Sequence, residues 1–238
     1  VKHFVKCFPS KLIAGLVLSA SMALTTSVSA NDAGNWYIQG SAGLTTLENV
    51  EADRTTSAGA TLTTVPFEAD FKHGHMASAG LGYNLTDTWS VEVEYAHRSN
   101  DLDRYYNKTN NSVLSSNGYM KSNSFMVNGI YTFDVDFPVK PVVGFGFGVG
   151  HAEIEIVETS GTKDDDDYSY AGQLIVGADW EVTSNIDLFA RANYFQIRDL
   201  DLEPRYYTTA GSFNLAETTT DKENYSSASI SIGLRYEF

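Results

Sequence analysis

Cysteine is all but missing from this chain, and the one present, Cys7, falls within the first ten residues. A disulfide framework and a thiolate metal centre are thereby excluded from the rest of the protein. Basic residues are scarce as well: 16 Lys and Arg stand against 30 Asp and Glu, a formal charge of −14. A surface of that sign argues against nucleic acid as a partner. Long apolar runs are absent after Leu24. Since a spanning helix needs about twenty such residues, a membrane form of this chain must cross as strands. There is also no phosphate-binding glycine loop and no CxxC element, so no cofactor is expected.

What is present begins with a separable leading segment. Residues 1–30 carry Lys2, Lys6 and Lys11, an apolar run from Leu12 to Leu24, and the small-residue exit Val28-Ser29-Ala30. This order reads as a cleavable secretory signal, leaving 31–238 as one exported domain. Its removal leaves 13 basic residues against 30 acidic ones, a formal charge of −17.

Within 31–238 the dominant pattern is alternation. The end of the chain is the clearest case: Ala228, Ile230, Ile232, Leu234, Tyr236 and Phe238 alternate with Ser229, Ser231, Gly233, Arg235 and Glu237. A period of two puts the two sets on opposite faces of a strand. The same scan predicts eight strands, near 35–44, 74–85, 89–99, 122–133, 139–152, 168–181, 186–198 and 226–238. Short connections at 85–88, 134–138 and 182–185 alternate with long polar ones at 45–73, 100–121, 153–167 and 199–225. Short turns on one side and long loops on the other are the pattern of an all-β, eight-stranded antiparallel transmembrane barrel. All three tryptophans, Trp36, Trp89 and Trp180, lie at strand ends on the short-turn side, with Tyr83, Phe133, Tyr236 and Phe238 at the same level. One-sided aromatic clustering marks a membrane interface, here the periplasmic one.

This parity turns rows such as Trp89, Val91, Val93, Tyr95 and Val143, Phe145, Phe147, Val149 toward lipid. It sends Glu92, Glu94, Arg98, Asp179, Asp187, Arg191, Arg235 and Glu237 inward, with Gly144, Gly146, Gly148 and Gly150 on the inner face of the fifth strand. Eight strands enclose only enough space for side chains to fill, so these charges are expected to pair across the lumen as a plug. A gate or narrow polar path through them is the alternative.

The stretch Gly233-Leu234-Arg235-Tyr236-Glu237-Phe238 resembles the C-terminal assembly signal of bacterial outer-membrane barrels, with Gly233, Tyr236 and Phe238 as its carriers. Together with Asn35-Trp36-Tyr37-Ile38, Ala79-Gly80-Leu81-Gly82-Tyr83, Val91-Glu92-Val93-Glu94-Tyr95 and Val143-Gly144-Phe145-Gly146-Phe147-Gly148, it makes the chain similar to the small OmpA-like, or opacity-type, porin family of outer-membrane β-barrels. That resemblance covers 35–238. It implies an outer-membrane location, contact with lipid, lipopolysaccharide and the barrel assembly machinery, and roles in envelope integrity, adhesion or host contact.

Three further groups carry candidate chemistry. His97-Arg98-Ser99-Asn100 resembles the His-x-Ser-Asn element of outer-membrane lipid A 3-O-deacylases, with His97 as base and Ser99 as nucleophile. Here it falls on the third strand rather than late in the barrel, and no carboxylate is matched to it; an ordinary strand end is the competing reading. Asp164, Asp165, Asp166 and Asp167 could hold a divalent cation or form a solvated acidic loop. His73 and His75 supply at most half a tetrahedral metal shell. Finally, Asp101-Leu102-Asp103-Arg104-Tyr105-Tyr106 is echoed by Asp199-Leu200-Asp201 and Arg205-Tyr206-Tyr207. Arg104, Tyr105, Tyr106, Arg205, Tyr206 and Tyr207 are therefore expected either to bind a host or matrix ligand or to form an outer aromatic rim.

Overall fold

The computed structural model describes residues 33–58, 61–158, 161–200, 205–208, 213–214 and 223–238. The expected leader, 1–30, lies outside them. Eight antiparallel strands close into a ring: β1 Trp36–Leu47, β2 Gly74–Asn84, β3 Trp89–Asn107, β4 Asn117–Thr132, β5 Val139–Glu158, β6 Gly161–Thr183, β7 Ile186–Leu200 and β8 Glu223–Glu237. Each pairs with its sequence neighbours, and β8 returns to β1 from Tyr37↔Glu237 to Leu47↔Ser227. Closure leaves no free sheet edge in the ring, the condition for strands to cross a bilayer.

One end is trimmed short. Between β2 and β3, Leu85 and Thr86 both donate their N–H to Trp89 O (2.8 and 3.1 Å) while Trp89 N donates to Thr86 Oγ1 (2.9 Å). Between β6 and β7, Ile186 N donates to Thr183 Oγ1 at 3.1 Å. Trp36 packs on Tyr83, Trp89 on Tyr131, and Tyr131 on Phe133, with ring centroids 5.0, 5.1 and 4.9 Å apart. Above this girdle the outer wall is continuous apolar surface. Phe145 and Phe147 on β5 stand out with Phe125 on β4 and Leu174 on β6.

The opposite end differs from the expected four loops. The segment 45–73 forms a hairpin of strands Val50–Ala58 and Thr61–Phe71, the latter pairing with β3 at Phe67↔Asn107. The wall itself also runs on: β3 reaches Asn107, and β5 and β6 pair as far as Glu158↔Gly161. Asp101–Tyr106 and Asp164–Asp167 are thus strand residues, not loop residues. The physical reason is a swap of faces. On β5 the outward positions are apolar up to Val149 and polar at His151, Glu153 and Glu155, while Ile154 and Ile156 turn inward and are buried. Outside the lipid the outer face meets water, so the apolar residues move to the interior.

Two of the inward glycines make room for specific neighbours: a Cβ on Gly146 would overlap Asn128 Oδ1, and one on Gly150 would overlap the Ile197 side chain. The lumen is filled on two levels. An ionic layer occupies the short-turn half, and above it lies an apolar cluster that includes Leu102, Met120, Ile154, Phe195, Ile197 and Tyr225, with Phe67 of the hairpin.

Candidate functional site: the ionic layer of the lumen

Arg235 on β8 is the hub. It is 1% exposed, and its Nη1 donates to Asp179 Oδ2 at 3.1 Å. Ion pairs reach Glu92 Oε1 at 3.5 Å and Asp187 Oδ2 at 3.8 Å, and the guanidinium lies 4.4 Å from the centre of the Tyr37 ring. Tyr37 donates its hydroxyl to Glu92 Oε1 at 2.8 Å, and Gln39 Nε2 donates to Glu92 Oε2 at 3.1 Å. Arg191 Nη1 donates to Asp179 Oδ1. Asp179 therefore lies between two guanidinium groups, an arrangement that offsets the cost of taking all three out of water.

Glu94, two residues above Glu92 on the inner face of β3, is held through amides. Gln173 Nε2 donates to Asn128 Oδ1 at 2.8 Å, and Asn128 Nδ2 donates to Glu94 Oε2 at 3.4 Å. Arg98 marks the top of the layer: fully buried, it donates to Ser124 Oγ at 3.1 Å and sits 4.0 Å from the Phe195 ring centre. Glu237 is half-exposed at the lower rim, where Asn84 Nδ2 donates to it at 3.3 Å.

Lys140 was not among the residues read from sequence as lumenal. It faces Asp179 across the β5–β6 pairing and is 7% exposed. Its signal was available, since it shares parity with Gly144 and Gly146 on the inner face of β5. With it, the buried charges among the described residues are Glu92, Glu94, Asp179 and Asp187 against Lys140, Arg98, Arg191 and Arg235. Four acids meet four bases, so the layer is formally neutral. A cavity lined by Gln39, Glu94, Arg191 and Asn193 interrupts it, with room for about one water molecule.

The other candidates are placed separately from this layer. His97 lies on the outer wall, and its Nδ1 is 2.8 Å from Asn123 Oδ1, an amide rather than a carboxylate partner. Tyr95 donates to the same oxygen at 2.9 Å. Asp164 and Asp166 alternate with Asp165 and Asp167 along β6, and His151 Nε2 lies 2.9 Å from Asp166 Oδ2. Among the described residues no group of three His, Cys, Asp or Glu converges as a metal shell.

Tyr105 is buried, stacked on Phe67 with centroids 5.3 Å apart, and so is part of the inner cluster rather than a presented side chain. Arg104 and Tyr106 face out, with the Arg104 guanidinium 4.7 Å from the Tyr106 ring and its Nε donating to Asp70 at 2.6 Å. Arg205–Thr208 forms a short strand beside β6, with Arg205 opposite Asp164; the side chains of Arg205, Tyr206 and Tyr207 lie outside the described residues. On the outer face of β4, Tyr119 donates to Glu153 Oε1 at 2.7 Å. That bond, with burial, holds its phenol well above the usual range.

At the foot of the barrel, Phe238 N donates to Trp36 O at 3.0 Å and Glu237 N to Asn185 O at 2.9 Å. The Phe238 ring meets Tyr236 edge-on at 5.4 Å. The terminal residues therefore seal β8 against both β1 and the β6–β7 turn.

Comparison with solved structures returns outer-membrane barrels. The outer membrane protein OprG from Pseudomonas aeruginosa is 14% identical with a TM-score of 0.53, over 88% of this chain and 98% of its own. Neisserial surface protein A is 20% identical with a TM-score of 0.49, over 85% of this chain and 97% of its own. Ail, the attachment invasion locus protein of Yersinia pestis, is 14% identical with a TM-score of 0.45, over 87% of this chain and 99% of its own. At these identities the likeness is one of fold. No curated protein matches. Residues 14–238, which include the whole barrel with its girdle, ionic layer and terminal aromatic pair, match the family described as outer membrane protein beta-barrel domain, and the chain belongs to that bacterial outer-membrane family.

Proposed function

We infer that this protein is a structural and interaction barrel, with residues 1–30 removed on export, a closed lumen, and contacts made by the part of the wall that stands outside the membrane. The observation that carries this reading is the two-level filling of the interior. A neutral ionic layer knotted around Arg235 and Asp179 lies beneath an apolar cluster that spans the bore. An ion crossing it would have to break buried pairs and then pass a packed region of Leu102, Met120, Phe195 and Ile197 whose buried polar groups, such as Ser122, Ser227 and Asn100, are uncharged.

Ligand contacts with host or matrix molecules would use the outward residues Arg104 and Tyr106 together with the segment around Arg205. What counts against a hydrolase is that the partner of His97 among the described residues is the amide of Asn123 rather than a carboxylate. In a planar bilayer the refolded protein should be silent, with circular dichroism and heat-dependent gel mobility establishing that the barrel is folded. Stable single-channel openings from a folded preparation would overturn the closed-lumen reading.

The terminal residues give a second test. Deleting Phe238 removes the ring on Tyr236 and the N–H that joins β8 to Trp36. Insertion into the outer membrane should fall several-fold while export across the inner membrane continues, as read by fractionation and protease accessibility. Unchanged assembly would separate Gly233–Phe238 from recognition by the assembly machinery.

A further inference from the structure

On β2, β3 and β5, the first polar outward residue above the apolar run is a histidine. His75 follows Ala77, Ala79 and Leu81; His97 follows Trp89, Val91, Val93 and Tyr95; His151 follows Val143, Phe145, Phe147 and Val149. Among the described residues His151 is the one of the three with a carboxylate ion pair, to Asp166. His75 and His97 belong to a different patch. His75 is opposite Ser99, so His97 is its diagonal neighbour on the same face, within reach of a shared ligand. Lys72 and His73, both exposed, lead directly into His75.

This corner is built, not loose. Asn100, fully buried, donates its Nδ2 to Lys72 O at 2.9 Å and to Thr45 O at 3.2 Å, and Lys72 N donates to Asp101 O at 2.9 Å. A Cβ on Gly74 would overlap Ser99 O and the Asn100 side chain, so glycine lets the corner lie flush against β3. Among the described residues the titratable and charged groups around the patch are Lys72 next to His73, Tyr95, which shares Asn123 Oδ1 with His97, Asp101 above His97 on β3, and Lys121 on β4, whose Nζ sits 3.6 Å from the Tyr119 ring centre. From β1 the patch meets Leu44.

We propose that Lys72, His73, His75 and His97 form an acid-activated platform for the phosphate groups of the anionic glycolipid in the outer leaflet. The patch is continuous with the lipid-facing wall directly below it, which places it at the headgroup level. Imidazole is the side chain whose ordinary charge change falls between pH 5 and 8. Lys72 supplies a standing positive charge near Asp101, and protonated imidazoles would add to it on the face turned to lipid phosphate. The inference rests on the outer-membrane location and is independent of the interaction role above.

The test uses the refolded protein in a neutral detergent, with bisphosphorylated lipid A and its dephosphorylated form as probes and bound lipid read by native mass spectrometry at pH 7.5 and pH 5.5. Retention of the phosphorylated lipid should rise on the order of tenfold in acid, as expected for about two added charges near an anionic group. The dephosphorylated lipid should show no rise. The double variant His75→Gln with His97→Gln should lose most of the rise while keeping its heat-dependent gel mobility, and Lys72→Gln should lower retention at both pH values. An undiminished rise in the double variant, or an equal rise with the dephosphorylated lipid, overturns the proposal. Displacement of the lipid by millimolar inorganic phosphate would also overturn it, by making the patch a site for free anions.

Discussion

Replacing Arg235 with methionine is expected to cost the barrel on the order of 3–5 kcal/mol, because it leaves charged partners buried with no counterpart. Asp179, Glu92 and Asp187 all lie within 3.8 Å of its guanidinium, which is itself 1% exposed. Asp179 keeps Arg191, but among the described residues Glu92 keeps the neutral donors Tyr37 and Gln39. Arg235→Lys should recover part of the loss: it restores the charge but not the planar fork that serves several acceptors at once. Urea unfolding from liposomes, followed by tryptophan fluorescence and gel mobility, measures both variants. A loss below about 1 kcal/mol would mean that the layer is solvated, because exposed pairs contribute no more than that.

Phe147→Arg should have the next largest effect, and it depends on the surrounding medium. Phe147 is 65% exposed on the outer wall of β5, near the middle of the run Val143–Val149, with Val127 opposite on β4. A guanidinium placed at the bilayer midplane of a barrel costs about 2–4 kcal/mol. The same substitution at His151, two outward positions higher, should cost at most about 1 kcal/mol, as at the interface. The pair of variants therefore reads the depth of the wall directly. Equal losses at both positions would be incompatible with a lipid boundary just below His151.

Most of the ring was legible because lipid and lumen impose opposite demands on alternate residues. Glu92 and Glu94 set between Val91, Val93 and Tyr95 could face only one way, and the short turns near Thr86 and Thr183 fixed which end lay below. Arg235, Asp179 and Arg191 could be assigned to the interior from parity alone. Their pairing could not, since it depends on the stagger between strands. What the alternation concealed was the continuation of the wall. Above His151 the apolar residues change faces, so the Glu-Ile-Glu-Ile sequence at 153–156 looks like the end of one pattern when it is the same strand in a different solvent. Tyr105 was misassigned for a related reason: a shift in the pairing of Asp70 and Phe71 with β3 alters the parity of the residues above Leu102.

The length of β6 determines how far the protein reaches from the cell. At about 3.3 Å per residue its 23 residues span roughly 76 Å of contour, and a tilt near 40° reduces this to a height of roughly 58 Å. His151, at the lipid boundary on β5, pairs with Tyr168, so the part of β6 above the bilayer runs from Gly161 to Tyr168, a stiff mast of about a third of the strand and roughly 20 Å of that height. Anything displayed near Gly161 is thereby lifted clear of the lipid headgroups, at a height set by paired backbone. Shortening β5 and β6 together, two residues from each, would lower that display by a fixed step and leave the girdle where it is.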